Sequence, residues 1–584
     1  MSVIERALAW SKHDPDPKAR EELAPLIAAA EKGDEAATKE LGERFAGPLE
    51  FGTAGLRGVL GAGETRMNRA VIRRTTLGLG RYLLEALPEQ TRAKGVVIGY
   101  DGRRMSREFA EDTAGVLAAM GIPAHLSPTV CPTPVAAYAV TRLGAAAGVM
   151  ITASHNPPEY NGYKAYWSNG AQIIPPIDKG IAKAIDDTPP ADEVALVSLD
   201  EARAQGLVHE FPADLEPSYL DAVQALSVSA GGDRSAAIVY TPLHGVGDRL
   251  VRETLKRAGF TNVHSVAEQA EPDGEFPTVN FPNPEEKGAL DLSYALADKT
   301  GADLIVASDP DVDRLAVAER RADGRFVQLT GNQVGVLLGH YLLTEGPRSG
   351  ERMVLASCVS SPQLGGIARA LGVYYEETLT GFKWIANRAL ALEAEQKKSF
   401  VFGYEEALGY TVGPLVRDKD GISAALLLCE LWARRRAEKK TLTDELESIA
   451  RSHGLYLSGQ RSVTLKGQEG LARIQTIMKE LRGKKLEQVG PLAVLAQSDV
   501  AAGTRTSATG EVSKLSLPPS DVLIYELAGE SRIIARPSGT EPKLKIYFDV
   551  RETVGEGEPL ADAELRAKKT MAELEEAFVQ IAGL

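Results

Sequence analysis

The sequence has few cysteines and few aromatic residues. It contains three cysteines in 584 residues, Cys131, Cys358 and Cys429, and aromatic residues make up 6% of the chain. An odd number of widely spaced cysteines matches neither a zinc ligand set nor a disulfide framework. We therefore predict buried thiols in a reducing compartment, and we expect a cytoplasmic protein.

The chain is also short of positive charge. Its 66 lysines and arginines are outnumbered by 80 aspartates and glutamates, which gives a net charge of -14. A protein that coats nucleic acid needs a basic face to displace counterions from phosphate, so we expect no nucleic-acid partner. If the ligand is an anion, the cations that hold it must be gathered locally.

Long apolar runs are missing as well. The N-terminus, MSVIERALAW, lacks the basic start and the cleavage site of a secretory signal. The most apolar later stretch, residues 421–433, is interrupted by Ser423 and Glu430 and is too short to cross a bilayer. We therefore predict no membrane association.

Short apolar strands are present and recur along the chain. Each ends abruptly in a polar or Gly/Pro loop and is followed by a helical stretch, at 95–103, 146–156, 236–247, 302–314 and 353–363. This alternation is typical of parallel or mixed α/β sheets that are covered on both faces. From about residue 455 the strands and two helices, at 469–482 and 561–581, predict an α+β domain.

The length and these patterns together predict several domains. Two surface helices precede the first sheet, three related α/β units follow, and the α+β domain ends the chain. The predicted bounds are 1–47, 48–208, 209–322, 323–445 and 446–584.

A serine and a histidine lie side by side in ITASHNPPEYNGYK, residues 151–164. Ser154 follows a predicted strand, at the position where open α/β sheets bind their ligands. Because adjacent side chains of extended backbone point to opposite faces, a hydrolase pair of Ser154 and His155 is not expected. No P-loop, G-x-G-x-x-G turn or G-x-S-x-G elbow occurs. The structural alternative is that Ser154 caps a turn and His155 forms a hydrogen bond.

Three aspartates follow another predicted strand, in SDPDVDR at 308–314. Asp309, Asp311 and Asp313 can converge on one ion, and carboxylates so close repel one another unless a cation is present. Arg314 and Arg320 stand where an EF-hand needs Gly and Glu, whereas hard oxygen ligands with room for a phosphate oxygen favour Mg²⁺. The alternative is a solvated acidic turn.

Two further segments carry groups that suit a sugar phosphate. Residues 535–547 gather donors for phosphate: Arg536, Ser538, Gly539, Thr540, Lys543 and Lys545. Near 379–421, Glu405 can accept hydrogen bonds from sugar hydroxyls, and Lys383 and Lys419 can hold phosphate or move a proton. A β-turn followed by an amphipathic strand, and solvated Gly-rich loops, are the alternatives. Together the four segments supply the parts for phosphoryl transfer on a polyol.

The order of these motifs resembles a known family. From about residue 48 the chain carries FGTAGLRG, TASHNP, DPDVDR, TGFK, GYEEALG and RPSGTEPKLKIY in the order of the α-D-phosphohexomutase superfamily, which includes phosphoglucomutases and phosphomannomutases. The resemblance implies four domains around a central cleft: three related α/β mixed-sheet units followed by a C-terminal α+β domain.

The resemblance also implies a role for each candidate residue. Ser154 is the expected phosphoserine, and it completes the Mg²⁺ site of Asp309, Asp311 and Asp313. The residues expected near the transferring phosphoryl group or its protons are Arg57, His155, Lys164, Arg314 and Lys419. The residues expected to bind the sugar or its other phosphate are Thr380, Gly381, Lys383, Glu405, Arg536, Ser538, Gly539, Thr540, Lys543 and Lys545.

The implied reaction interconverts glucose 1-phosphate and glucose 6-phosphate through a phosphoserine enzyme and glucose 1,6-bisphosphate. Mg²⁺ and a sugar 1,6-bisphosphate activator are the implied cofactors, and we expect a monomer or a weak homo-oligomer. Ala407 stands where many relatives have serine, and PEYNGYK resembles the branch with phosphopentomutases. Phosphopentomutase, acting on ribose 1-phosphate and 5-phosphate, and phosphomannomutase therefore stay alternatives. A sugar phosphatase that forms phosphoserine, and a non-catalytic binding protein, are hypotheses of other classes.

Overall fold

A computed structural model describes residues 1–50, 55–465, 467–538 and 543–584. The chain divides into two units, each considered by itself. The first unit comprises residues 1–329 and 409–433, and the second comprises residues 330–408 and 434–584.

The first unit begins with three helices, α1 (Val3–His13), α2 (Pro17–Glu31) and α3 (Glu35–Arg44). The prediction of two helices here is wrong, because Asp16 and Asp34 each cap the start of a new helix by accepting a hydrogen bond from a backbone N–H. The three helices also bury a small core of their own. It includes Leu23, Ile27, Leu41, Phe45 and Ala62.

The first sheet has the strand order β1-β5-β4-β2-β3-β6. Strands β2, β3, β4 and β6 are parallel, whereas β5 and the edge strand β1 run antiparallel to their neighbours. The five residues of β2 and of β4 are all buried, as their apolar sequences predict. The elements are β1 (Leu56–Val59), α4 (Arg69–Ala86), α5 (Pro88–Lys94), β2 (Val96–Tyr100), α6 (Ser106–Ala119), β3 (Ala124–Leu126), α7 (Thr133–Leu143), β4 (Ala147–Ile151), β5 (Tyr160–Trp167), α8 (Ile177–Asp186), α9 (Leu199–Ala204) and β6 (Val208–Glu210).

The second sheet has the order β11-β10-β9-β7-β8. Strand β9 is parallel to β7 and antiparallel to β10, so the loop from 308 to 315 connects two neighbouring strands at one edge of the sheet. The elements are α10 (Leu215–Gln224), β7 (Ile238–Thr241), α11 (Asp248–Arg257), β8 (Val263–Ser265), α12 (Asp291–Thr300), β9 (Leu304–Ala307), β10 (Ala316–Arg320) and β11 (Phe326–Leu329).

Residues 409–433 return to the first unit late in the chain. They contain β15 (Gly409–Val412) and most of α16 (Gly421–Ala437). Gly409 forms an antiparallel bridge with Arg314, and the N–H of Gly421 donates to the carbonyl of Val312 at 3.1 Å. These contacts bring Lys419 to the loop that carries the aspartates.

The second unit contains another α/β layer, in which β12 lies between β13 and β14 and is parallel to both. Its elements are α13 (Gly331–Glu345), β12 (Arg352–Ser357), α14 (Gln363–Ala370), β13 (Tyr374–Thr378), α15 (Phe382–Gln396), β14 (Ser399–Glu405) and α17 (Leu442–His453).

An antiparallel sheet with the order β16-β23-β22-β21-β18-β19-β20 ends the second unit, and two helices bury a core against it. The predicted helices at 469–482 and 561–581 are confirmed within two residues at each end. The elements are β16 (Leu455–Thr464), α18 (Gly467–Gly483), β17 (Gln488–Val489), β18 (Leu492–Asp499), β19 (Thr504–Ser507), β20 (Val512–Lys514), β21 (Leu523–Leu527), β22 (Arg532–Pro537), β23 (Lys543–Glu552) and α19 (Leu560–Ala582).

The predicted succession of α/β sheets and a final α+β domain is therefore confirmed. Cys131, Cys358 and Cys429 are buried free thiols, as predicted. Among the described helices, none combines the length and the apolar character that a membrane span requires.

Candidate active site

Ser154 lies in the loop after β4 and has a left-handed backbone conformation, with φ at +52°. Its N–H donates to Thr152 Oγ1 at 2.8 Å, and that hydroxyl donates to Asp101 Oδ2 at 2.6 Å. A non-glycine residue adopts this conformation only where its surroundings impose it. The buried chain from Asp101 through Thr152 supplies that constraint and turns the serine side chain out of the strand direction.

Arg103 holds the rest of this loop. Its guanidinium donates to the carbonyl oxygens of Ser154 at 2.6 Å, Pro157 at 2.9 Å and Tyr160 at 3.2 Å, and also to that of Asn156. The guanidinium carbon lies 4.9 Å from the ring centroid of Phe276. Since one buried cation binds four carbonyls, the position of the serine loop depends on it.

Sequence reasoning missed Asp101, Thr152 and Arg103 as site residues. The available signal was the segment DGR, which follows β2 just as the serine segment follows the neighbouring strand β4. Carboxyl ends of adjacent parallel strands meet at the same edge of a sheet, so the two loops had to lie together.

The expectation that Ser154 and His155 point to opposite faces is wrong. Ser154 Oγ lies 3.1 Å from His155 Nδ1, because the left-handed residue is not part of an extended segment. The hydroxyl donates to Asp309 Oδ2 at 2.5 Å. Burial, together with the charges of Arg314 and Arg57, holds the pKa of His155 well below 6.5. The histidine is therefore neutral at pH 7.

The three aspartates converge as predicted. One carboxylate oxygen from each of Asp309, Asp311 and Asp313 lies within 4.8 Å of the other two, and all three side chains are buried. Val312, between two of them, has φ at +64°, which curls the loop. The solvated acidic turn is thereby excluded, since a solvated turn leaves its carboxylates exposed.

The three carboxylates affect one another's pKa values. Burial and the charges of Asp311 and Asp313 raise the pKa of Asp309 well above its usual range. Burial also disfavours the charge on Asp313, but Lys164, Lys419 and Arg314 outweigh it and lower the pKa of that carboxyl. The neighbouring cations therefore favour the charge on Asp313, whereas burial and the other two aspartates disfavour the charge on Asp309.

The donor set suits a hard divalent cation. Asp311 Oδ1 and Asp313 Oδ1 are buried and accept no hydrogen bond among the described residues. Orphaned buried carboxylate oxygens are costly unless a cation or water binds them. Asp309, Asp311 and Asp313 thus form a group of carboxylates that could hold a metal ion.

Two lysines approach the carboxylates from β5 and from the segment before α16. Lys164 Nζ donates to Asp311 Oδ2 at 2.7 Å and to Asp313 Oδ2 at 2.8 Å, while Lys419 Nζ lies 3.3 Å from Asp313 Oδ2. Asp311 Oδ2 also accepts from Thr133 Oγ1 at 2.6 Å. The structure thus brings both predicted lysines to the aspartates, and it adds Thr133.

Two arginines complete the charged site. Arg57 on β1 donates to Asn156 Oδ1 at 2.7 Å, and Arg314 Nε lies 3.9 Å from Asp309 Oδ2. Burial, with repulsion from Arg314, lowers the pKa of Arg57 to about 10. Both guanidinium groups stay charged at pH 7 and flank the serine loop and the aspartate loop.

The predicted sugar-binding residues lie in the second unit. Glu405, at the end of β14, accepts the N–H of Gly381 at 2.6 Å, and Gly381, with φ at +111°, directly precedes α15. The hydroxyl of Thr380 is buried and accepts or donates no hydrogen bond among the described residues. Lys383 lies in the first turn of α15, with its Nζ 5.8 Å from the Trp384 ring.

Glu406 is a further acidic residue at this place. Its Oε2 accepts from Ser357 Oγ at 3.2 Å and from Ser360 Oγ at 3.4 Å. Burial raises the pKa of this carboxyl, against the lowering effect of Arg536. Sequence reasoning had chosen Glu405 alone, although both glutamates stand in the same motif.

The predicted phosphate-binding segment forms the end of a hairpin in the second unit. Arg536 on β22 pairs with Lys545 on β23, and the N–H of Ser538 donates to the carbonyl of Lys543 at 2.8 Å. Gly539 and Thr540 lie outside the described residues. The hairpin places Arg536 opposite Lys545, and the assignment of this segment to phosphate binding stays a prediction.

Comparison with protein families gives a match along most of the chain. The models of phosphoglucomutase/phosphomannomutase alpha/beta/alpha domains I, II and III match residues 48–191, 217–324 and 330–452. The model of the C-terminal domain of the same family matches residues 497–567. The four-domain architecture predicted from the sequence is thereby confirmed, whereas the predicted bounds stay predictions.

Curated relatives carry different substrate names. A phosphopentomutase from Homo sapiens is 36% identical over 98% of this chain and 95% of the relative. A phosphoglucomutase from Staphylococcus epidermidis is 39% identical over 86% of this chain and 90% of the relative. These relatives establish the family and leave the sugar open.

A solved structure has the same fold. The phosphoglucomutase/phosphomannomutase family protein from Burkholderia thailandensis superimposes with a TM-score of 0.63 at 20% identity, over 90% of this chain and 95% of the other. At that identity the likeness concerns the fold alone.

Proposed function

The chain belongs to the phosphoglucomutase/phosphomannomutase family, whose members are phosphosugar mutases, and we propose that it carries the transferring phosphoryl group on Ser154. The observation that carries this proposal is the serine itself. A constrained left-handed backbone presents Oγ at 2.5 Å from Asp309 Oδ2, one of the three clustered carboxylates. A serine that only capped a turn would need no such setting.

We assign the metal site to Asp309, Asp311, Asp313 and Ser154, and the metal to Mg²⁺. When bound, Mg²⁺ polarises the phosphoryl group and offsets the charge on its oxygens. The orphaned oxygens of Asp311 and Asp313 support this assignment. Lys164 donates hydrogen bonds to Asp311 and Asp313, and its positive charge offsets part of the negative charge of these carboxylates.

Ser154 would act as a covalent carrier in two transfers. Phosphoserine gives its phosphoryl group to the free hydroxyl of a sugar monophosphate, and the hydroxyl proton passes to a nearby base. The resulting bisphosphate then returns its other phosphoryl group to the serine, which restores the enzyme. Arg57 and Arg314 offset the charge on the transferring oxygens, and His155, Lys164 and Lys419 are the groups placed to hold or move protons.

The residues of the second unit would bind the part of the substrate that does not react. Arg536, Ser538, Lys543 and Lys545 offer donors for the other phosphate. Glu405, with Thr380, Gly381 and Lys383, would bind the sugar hydroxyls. Because one serine carries out both transfers, the bisphosphate must present its two ends in turn.

We propose glucose 1-phosphate and glucose 6-phosphate as the substrate pair. A phosphopentomutase is the second candidate, since the human relative of that name matches 98% of this chain. Phosphomannomutase is a third, because the family model includes it. We further propose a sugar 1,6-bisphosphate that primes Ser154, a cytoplasmic location, no nucleic-acid partner, and a monomer or weak homo-oligomer.

The test is a substrate panel with mass analysis. We expect the largest kcat/KM for glucose 1-phosphate among glucose, mannose and ribose 1-phosphates, and an intact mass that includes one phosphate which sugar phosphate removes. A much larger kcat/KM for ribose 1-phosphate would replace the first candidate by the second. Steady release of inorganic phosphate without isomer would instead identify a phosphatase.

A further inference from the structure

The three N-terminal helices, residues 3–44, pack on the turn that follows β1; we call them the helical module. The family's domain I model begins only at residue 48. Ala62, from the turn, is fully buried within the core of the module. The turn at residues 61–66 therefore packs against the helical module and also follows directly after β1, the strand that carries Arg57.

Arg44, the last residue of α3, is the centre of this contact. Its side chain is 14% exposed, and Nε donates to Glu40 Oε1 at 2.7 Å while Nη1 donates to the carbonyl of Ala62 at 3.2 Å and to Glu22. Glu22 Oε2 in turn accepts the N–H of Ala62 at 3.2 Å. The backbone of Ala62 is thus bound on both sides by one ion-pair network.

The backbone of Arg44 also approaches the turn closely. Its carbonyl accepts the N–H of Thr65 at 3.1 Å. Gly63 has φ at +125°, and a Cβ atom at this position would lie 2.8 Å from the Arg44 carbonyl oxygen. A side chain at this position would force the turn away from α3, so the close contact of the module with the turn depends on this glycine.

Backbone hydrogen bonds connect the turn to the end of β1. The N–H of Met67 donates to the carbonyl of Val59 at 2.8 Å, and the N–H of Gly61 donates to the carbonyl of Met67 at 3.2 Å. The closed turn begins a few residues after Arg57. Strand β1 is the edge strand and, among the described residues, pairs only with β5. The turn therefore supplies a second set of contacts that fix the position of β1.

We propose that Arg44 is a positioning residue for Arg57. Through the turn at 61–66, it holds β1 in the place where the Arg57 guanidinium meets Asn156 of the serine loop. The proposal rests on the role proposed above for Arg57. A small displacement of a charged group at a phosphoryl-transfer site is costly, since catalysis depends on geometry.

The test is a double-mutant cycle with Arg44→Ala and Arg57→Ala, measured well below the thermal midpoint of each variant. We expect Arg44→Ala to lower kcat about tenfold with little change in KM. In the Arg57→Ala background the same substitution should change kcat less than about twofold, because the group that it positions is already gone. Arg44→Lys should restore part of the loss.

Two further variants keep the result decisive. If Arg44→Ala fails to fold, Glu22→Gln removes one charge from the same network, and the same pattern is expected. Asp192→Ala removes the contact of His13 with Asp192, at 3.0 Å, which joins the module to the first sheet domain away from the turn. This control should keep the kcat of the wild-type enzyme.

The outcomes separate this inference from the proposed function. If Arg57→Ala is slow but Arg44→Ala has the wild-type kcat, the positioning role is wrong and the proposed function stands. Equal losses from Arg44→Ala in both backgrounds would also overturn the positioning role. If Arg57→Ala itself has full activity, the role of Arg57 in the proposed function is wrong, and this inference falls with it.

Discussion

The serine and aspartate loops of the first unit differ from the candidate binding residues of the second in how they are fixed. Ser154, Lys164 and the three aspartates expose at most 3% of their surface and bond directly to one another. Arg536, Ser538 and Lys545 are only partly buried and lie at the end of a hairpin. The serine and aspartate loops are thus buried and bonded in advance, whereas the candidate phosphate-binding residues of the hairpin are only partly buried.

This difference predicts two kinds of kinetic effect. Groups held rigidly at the reacting atoms act mainly in the transition state, so that their loss lowers kcat. Groups that bind the rest of the substrate act in both states, and their loss raises KM. Substitutions in each unit can therefore test whether its residues affect mainly kcat or mainly KM.

The largest effect is expected from Ser154→Ala. Without Oγ no phosphoserine forms, so turnover should be abolished while sugar-phosphate binding stays largely intact. Isomerisation assays, titration calorimetry and intact mass measure the three properties. Ser462→Ala, an exposed serine on β16, is the matched control and should behave as wild type. Unchanged activity of Ser154→Ala would reject the phosphoserine assignment.

The second largest effect is expected from Asp311→Asn. The amide can still accept from Thr133, but it removes one charge from the proposed metal ligands, and we expect kcat to fall by about a hundredfold with less effect on substrate binding. Titration with Mg²⁺ should show a higher requirement for the metal. Asp323→Asn, which breaks an exposed pair with Arg325, is the control. Wild-type kcat and an unaltered Mg²⁺ requirement would contradict the metal site.

The strands and the aspartate cluster were predictable because both depend on local sequence. Continuous apolar runs gave β2, β4, β7, β9 and β12, since a strand buried on both faces carries apolar residues throughout. The spacing of Asp309, Asp311 and Asp313 placed three carboxylates in one loop after a strand. Repulsion between them follows from this spacing, whereas their burial also depends on distant residues such as Thr133 and Lys164.

The orientation of Ser154 was not predictable in the same way. Its left-handed backbone depends on Asp101 and Arg103, about fifty residues earlier in the chain. The local sequence pattern around Ser154 does not indicate a contact with such distant residues. The approach of Lys419 depends likewise on the bridge between Gly409 and Arg314. The third N-terminal helix was missed for a local reason, because the capping role of Asp34 was overlooked.

A smaller effect, on KM rather than on kcat, is expected from Glu405→Gln. Glutamine keeps an acceptor for the N–H of Gly381 but loses the charge, so KM should rise about tenfold while kcat changes little. The measurement uses glucose 1-phosphate and ribose 1-phosphate in parallel. Glu395→Gln, on the exposed side of α15, is the control. A loss confined to kcat would remove the distinction between the two units.

The smallest effect concerns the stability of the first unit against acid. The pKa of His155 in the folded protein is well below the value of about 6.5 expected for the unfolded chain. Below pH 6.5 the unfolded chain therefore binds more protons, and stability falls as pH falls. From pH 7 to 5.5 this histidine should cost up to about 1 kcal/mol, which His155→Gln removes.

Thermal midpoints at pH 7 and 5.5 measure this difference, with His264→Gln on β8 as the matched histidine control. The midpoint of His155→Gln should fall less with acid than those of the wild type and the control. An equal fall in all three proteins would mean that His155 is protonated in the folded state. The charges of Arg57 and Arg314 would then not keep His155 neutral. The site around Ser154 would accordingly not be organised around a neutral histidine before substrate binds.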